Sequence, residues 1–111
     1  MTQPTEGARQ RRYPRFHVSL PAFGLAAQFG AGKIRGVVRD ISPGGLMVQF
    51  PVLIVPGNRL ALVLHTQDGP VAAEGKVVWT APRGAWVRHA VAFSELKQRD
   101  FAMKIFLAEG R

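Results

Sequence analysis

The chain has 111 residues, with fifteen lysines and arginines against seven acidic residues, a formal net charge of +8. That length suits one domain with a single core, and the charge suits an anionic partner: a nucleotide, a nucleic acid or a membrane surface. The absence of cysteine excludes disulfides, thiol catalysis and thiolate metal sites and agrees with a reducing cytoplasm, the expected location.

Residues 1–10 are polar, carry Pro4 and Gly7, and offer nothing to bury. They read as a flexible basic arm without an apolar signal segment, followed by one domain over 11–111. Arg9, Arg11, Arg12 and Arg15 make the end of that arm strongly basic. The plain reading of such a run is a solvated arm able to bind any polyanion.

From Phe16 the pattern becomes that of a strand, with Phe16, Val18 and Leu20 alternating with His17 and Ser19. Pro21 and Gly24 predict a bulge or bend, after which Leu25, Ala27 and Phe29 resume the inward face on the opposite parity. Gly30-Ala31-Gly32 predicts a turn, and Ile34, Gly36 and Val38 a returning strand that ends at Asp40. Each leg is roughly ten residues, or about 30 Å at 3.3 Å per residue. The hairpin therefore delivers Asp40 to the end where Arg15 began.

Asp40-Ile41-Ser42-Pro43-Gly44-Gly45 reads as a tight turn, its glycines opening torsions closed to other residues and letting a ligand approach the main chain. The plain alternative is a strand connection in which Asp40 and Ser42 bond their own backbone. Leu46, Val48 and Phe50 predict a third strand, and Pro51–Gly57 a proline-broken cover over the barrel mouth. The apolar region Leu46–Val55 is too short for a membrane span and is broken by Gln49 and Pro51, so no membrane insertion is expected.

Leu60, Leu62 and Leu64 predict a fourth strand, and Val71–Trp79 a fifth with Glu74 and Lys76 facing water. Pro82-Arg83-Gly84 then turns the chain into a sixth strand, Trp86–Phe93. Short strands joined by Gly/Pro turns argue for an all-β barrel or sandwich. A C-terminal helix is expected over about 94–108 by helix-signal reading, with Ser94 as N-cap and Leu96, Met103, Phe106 and Leu107 on one face. Phe101 and Ile105 broaden that stripe, which seals the barrel or, as the alternative, serves a homodimer.

Chemistry concentrates in the arginines and Asp40. Arg11 and Arg15 offer planar forks for phosphate oxygens and for the O6/N7 edge of guanine. An ionised Asp40 accepts only, and suits the N1–H and exocyclic amine of the same base. Arg11-x-x-x-Arg15 followed by Asp40-x-Ser42-x-x-Gly45 resembles the paired signature of the PilZ domain family.

That resemblance implies a six-stranded antiparallel β-barrel, a split barrel with a C-terminal helix, that binds the bacterial second messenger cyclic di-GMP. It implies that Arg11 and Arg15 engage phosphates and guanine faces with Arg12 assisting. Asp40 and Ser42 would take polar edges of guanine and a nearby phosphate, and Gly45 would leave room for the ligand. Gly44, Arg9 and His17 are adjunct candidates. The resemblance also implies an output to a downstream protein of motility, pilus or exopolysaccharide machinery, as in biofilm control; the disorder-like composition of the Arg9–Arg15 arm adds the expectation that ligand binding orders it.

Two rivals stand beside this reading. One is a PilZ-like adaptor that binds protein without ligand; the other is a basic barrel that binds single-stranded nucleic acid on aromatic platforms. Tyr13 is the one aromatic within the basic arm, which weighs against nucleic acid. Trp79 and Trp86 are expected to face one another across the Pro82 turn, with base stacking as their other role. Arg35 and Arg39 read as a solvated face.

No enzyme is expected: the acidic residues stand singly and no serine lies in a nucleophile elbow. No metal or other cofactor is expected, since His17, His65 and His89 fall on three separate strands.

Overall fold

The computed structural model describes residues 16–30 and 32–93. They form six antiparallel strands: β1 Phe16–Ala26, β2 Ile34–Ser42, β3 Gly45–Phe50, β4 Arg59–Thr66, β5 Gly69–Arg83 and β6 Trp86–Phe93. A short 3-10 turn, Ala27–Phe29, follows β1. The strands close in the order β1-β2-β3-β6-β5-β4, so β1 pairs with both β2 and β4. Closure leaves no described strand with an unpaired edge. The arm 1–10, Arg9, Arg11, Arg12, Arg15 and the helix expected at about 94–108 lie outside the described residues.

The interior follows the alternation of the strands. Leu20, Val38, Leu46, Val48, Phe50, Leu60, Leu62, Leu64, Val77 and Val91 are all buried in one cluster. Phe50 is its largest fully buried side chain, and two glycines make room for the ring. A Cβ on Gly24 would lie 2.7 Å from Phe50 Cζ, and one on Gly36 would run into the same ring and the Gln49 carbonyl.

This packing corrects the expected course of β1. The strand keeps one parity throughout, with Leu20, Ala22, Gly24 and Ala26 inward, while Leu25 faces water. Its irregularity falls between His17 and Leu20 instead of at Pro21–Gly24. The inward face must stay small where Phe50 sits, so the larger Leu25 is turned out and Ala27–Phe29 coil away.

At the end of the barrel reached by β1, the 51–58 connection folds inward as expected. Ile54 is fully buried, and its N–H donates to Nε2 of His89 at 3.0 Å. Gln28 holds the same segment, its Nε2 donating to the Leu53 carbonyl and its Oε1 accepting from the Val55 N–H.

The expected pairing of Trp79 with Trp86 does not form. Trp79 stands opposite Ala90 and Trp86 opposite Arg83. An irregularity between Val77 and Trp79 shifts the register, and the chain reverses at 84–85, where Gly84 takes a φ of +63° that favours glycine. Both tryptophans remain exposed.

Candidate functional site

The antiparallel register of β1 and β2 sets Phe16 opposite Ile41 and His17 opposite Asp40. Phe16 follows Arg15 directly in sequence, so the covalent end of the arginine motif arrives beside Asp40. The meeting of the two motifs is thus fixed by backbone pairing as far as Phe16; Arg11, Arg12 and Arg15 themselves lie outside the described residues.

An irregularity between Val38 and Asp40 re-aims β2. Val38 and Ile41 both point into the core, which leaves Arg39 and Asp40 adjacent on the outer face. A bulge of this kind places two consecutive side chains on one surface, which regular pleating forbids. Arg39 Nη1 donates to Ser19 Oγ at 3.5 Å, and Asp40 is shielded, its side chain 13% exposed.

Asp40 Oδ1 lies 2.7 Å from Nδ1 of the almost fully exposed His17. That contact is an ion pair only when the imidazole is protonated. No donor among the described residues reaches Oδ1 at hydrogen-bonding angles, so a buried carboxylate oxygen is left short of a partner. An acceptor buried without any partner costs roughly 1–3 kcal/mol, and the close approach of His17 Nδ1 offsets part of that here.

Ser42 closes the hairpin. Its Oγ donates to the Gly45 carbonyl at 3.3 Å across the Pro43–Gly44 turn, and the Gly44 carbonyl accepts from the Phe93 N–H at 3.0 Å. Asp40 and Ser42 therefore belong to β2, and the turn is shorter than the six-residue segment expected from sequence. Neither Gly44 nor Gly45 takes a positive φ. Gly45 is needed for a different reason: a Cβ there would collide with the Val91 carbonyl, because β3 pairs closely with β6 at this point.

Register also reveals a row that sequence reasoning missed. His17 pairs with Asp40, Asp40 with Met47, Met47 with Ala90, and Ala90 with Trp79. These five positions cross the outer face of β1, β2, β3, β6 and β5 in turn. Met47 and Ala90 make a low apolar floor between the carboxylate and the indole of Trp79, which is 48% exposed. The Arg88 guanidinium stands 6.0 Å from the Trp79 ring centroid, within cation–π range. The alternation that buries Leu46 and Val48 already turned Met47 outward; the link to Trp79 required the strand order.

Among the described residues, no group of three or more His, Asp or Glu side chains is placed to hold a metal ion. No described helix is long and apolar enough to cross a membrane.

The fold has solved counterparts. The PilZ domain of YcgR from Escherichia coli with c-di-GMP superposes with a TM-score of 0.71 at 20% identity, over 89% of this chain and 91% of that one. The PilZ domain of CeSA from a cellulose-synthesizing bacterium gives 0.60 at 15% identity, covering 86% and 94%. The Bacillus subtilis inhibitor of motility MotI/DgrA gives 0.61 at 18%, and there this chain spans 87% of its own length but 50% of the other. Likeness at such identities establishes the fold. No curated protein matches the chain. The sequence pattern of the PilZ domain matches residues 9–106, a span that takes in both halves of the signature and all six strands: the chain belongs to the PilZ domain family.

Proposed function

We propose that this protein is a cyclic di-GMP receptor, a binding module and not an enzyme, that reads the ligand on the outer face of the barrel around Asp40. The observation that carries the reading is the pairing of His17 with Asp40, which brings the start of β1 against a shielded carboxylate with an unsatisfied oxygen. Guanine presents N1–H and an exocyclic amine side by side, donors that suit a group that only accepts.

Arg11, Arg12 and Arg15 supply charge-assisted bonds to the phosphates and guanine faces, with Arg9 and His17 at the margin. Ser42 has one hydroxyl proton, already given to Gly45. While that bond stands the oxygen can only accept, which suits a guanine amine better than a phosphate oxygen. Gly44 and Gly45 keep the turn low beside the ligand. Trp79, at the far side of the Met47 and Ala90 floor, offers a ring for a second base.

The domain proposed for this role spans residues 11–111 with the arm 1–10 ahead of it, acts in the cytoplasm, and passes the signal to a protein of motility, pilus or polysaccharide machinery. The names of MotI, an inhibitor of motility, and of CeSA, from a cellulose-synthesizing bacterium, are in keeping with that output.

A second reading has one observation in its favour: Trp79 and Trp86 are exposed, so aromatic platforms for single-stranded RNA or DNA are present after all. Calorimetric titration at near-physiological salt separates the two. Cyclic di-GMP is expected to bind saturably, and cyclic di-AMP, GMP and a short RNA to bind weakly or not at all. Asp40→Ala should cost about 2–3 kcal/mol of affinity and Arg15→Ala a similar amount. Absence of cyclic di-GMP binding would overturn the receptor reading, and tight RNA binding alone would establish the rival.

A further inference from the structure

The outer face made by β4, β1 and β2 carries two cations, Lys33 just ahead of β2 and Arg35 on it, that no carboxylate among the described residues offsets. Register sets Phe23 between Arg35 of β2 and Val63 of β4. Lys33 Nζ stands 5.6 Å and Arg35 Cζ 5.7 Å from the Phe23 ring centroid, and the ring of His65 meets the same ring edge-on at 5.5 Å. Leu25, 42% exposed, and Val63, 37% exposed, complete the surface.

Acidic residues are scarce in the described chain: Asp40, Asp68 and Glu74. Asp40 lies against His17 and Glu74 against Arg59, and neither Lys33 nor Arg35 has a carboxylate within ion-pairing distance among the described residues. Two cations held on one ring repel each other and gain from an anion placed between them. Phe23 is six residues along β1 from His17, or about 20 Å at 3.3 Å per residue, so this surface is separate from the candidate ligand site.

We infer that the Phe23, Lys33 and Arg35 face is a docking surface for an acidic segment of a partner protein, one whose carboxylates flank an apolar side chain. Charge complementarity favours that occupant. A second copy of this chain, with its net charge of +8, would bring like charge to like. A free phosphate or nucleotide would use the cations and leave Leu25 and Val63 in water. An acidic, partly apolar segment satisfies both, and arginine and aromatic side chains are the types enriched at protein interfaces. The surface stands whether or not cyclic di-GMP binds, so its failure and the failure of the receptor reading are separate results.

The test uses the full chain and a labelled synthetic peptide that alternates glutamate with leucine, read by anisotropy and by amide shifts. Saturable binding is expected, with shifts confined to the neighbourhood of Phe23, Leu25, Lys33, Arg35 and Val63. Lys33→Glu with Arg35→Glu should weaken it about tenfold or more, while the charge-matched pair Lys76→Glu with Arg83→Glu stays within about twofold. Leu25→Ser with Val63→Ser, or a peptide with serine in place of leucine, should also weaken binding. Equal weakening by both charge pairs, shifts elsewhere on the barrel, indifference to the leucines, or binding to anionic phosphatidylglycerol vesicles without binding to the peptide would each overturn the proposal.

Discussion

The two ends of the barrel share one trait and differ in another. Each holds a buried side-chain atom without an aligned partner among the described residues, Nδ1 of His89 at one and Oδ1 of Asp40 at the other, but only one end ties down its connecting backbone with side chains. At the end closed by the 51–58 connection, Ile54 is driven fully into the core, its N–H is accepted by His89, and Gln28 ties down the neighbouring backbone on both sides. At the end where β2 turns into β3, Asp40 is shielded with one carboxylate oxygen short of an aligned donor. Buried groups that are satisfied stabilise the native state, whereas an unsatisfied one is a cost the rest of the fold must offset. The difference lies in the backbone and the face: at the closed end the Ile54 and Val55 amides have side-chain acceptors, whereas at the hairpin end the shortfall falls on a carboxylate of the outer face.

The strongest way to test that division is Phe50→Ala. Phe50 is fully buried, and its ring occupies the space left by Gly24 and Gly36. Truncation should cost about 3–5 kcal/mol, read as a large drop in the denaturation midpoint. A loss below about 1 kcal/mol would mean that the core does not depend on the ring.

His89 gives the next effect and one that depends on pH. The imidazole is fully buried, and burial holds its pKa below the ordinary 6.5, with backbone contacts to Val87 and Val48 offsetting part of the shift. Near pH 6.5 the unfolded chain takes up a proton that the folded chain refuses. Stability therefore falls as pH drops through that value, and stops falling once the lowered folded-state pKa is passed. His89→Leu removes the acceptor for the Ile54 N–H and should cost about 1–3 kcal/mol at neutral pH. His89→Gln keeps an acceptor but cannot titrate, so its thermal midpoint should fall less than that of the unsubstituted chain between about pH 7.5 and pH 5. Equal slopes would remove His89 from the account.

How far the sequence carried these conclusions depended on whether a feature is local. Alternation marked the inward residues of β3 and β4, and the Gly/Pro pairs marked the reversals, because pleating and turn torsions act over a few residues. The return of β2 to the start of β1, which sets His17 opposite Asp40, followed from the length of one hairpin. The parity of β1 did not, since Leu25 is turned outward by Phe50, which lies two strands further along the chain. Gly45 looked like a torsional glycine, yet its φ is not positive, and one constraint on it comes from the Val91 carbonyl on a strand that sequence cannot place beside it. The row from Asp40 to Trp79 has the same origin: it exists only because β3 lies between β2 and β6.

Asp40→Ala carries a smaller stability effect whose sign is informative. Removing a shielded carboxylate that lacks an aligned donor should leave stability unchanged or raise it by up to about 1 kcal/mol, even as ligand affinity falls. Chemical denaturation of the variant without ligand checks this. A loss comparable to that of His89→Leu would show that Asp40 supports the fold, and the contrast between the two ends would collapse.

Arg59→Ala should do least. Arg59 begins β4 at the closed end, and its Nη1 lies 3.7 Å from Glu74 Oε2 across the β4–β5 pair. Both side chains are mostly exposed, so water screens the attraction, and holding two long side chains together costs rotamer freedom. The expected change is below about 0.5 kcal/mol, and raising salt should shrink it further. This substitution separates two explanations for a firm closed end, surface charge pairing and a buried plug with satisfied amides. A loss above about 1 kcal/mol would transfer the credit to the ion pair. A negligible one leaves it with Ile54, His89 and the ring of Phe50, the residues whose burial the strand order imposes.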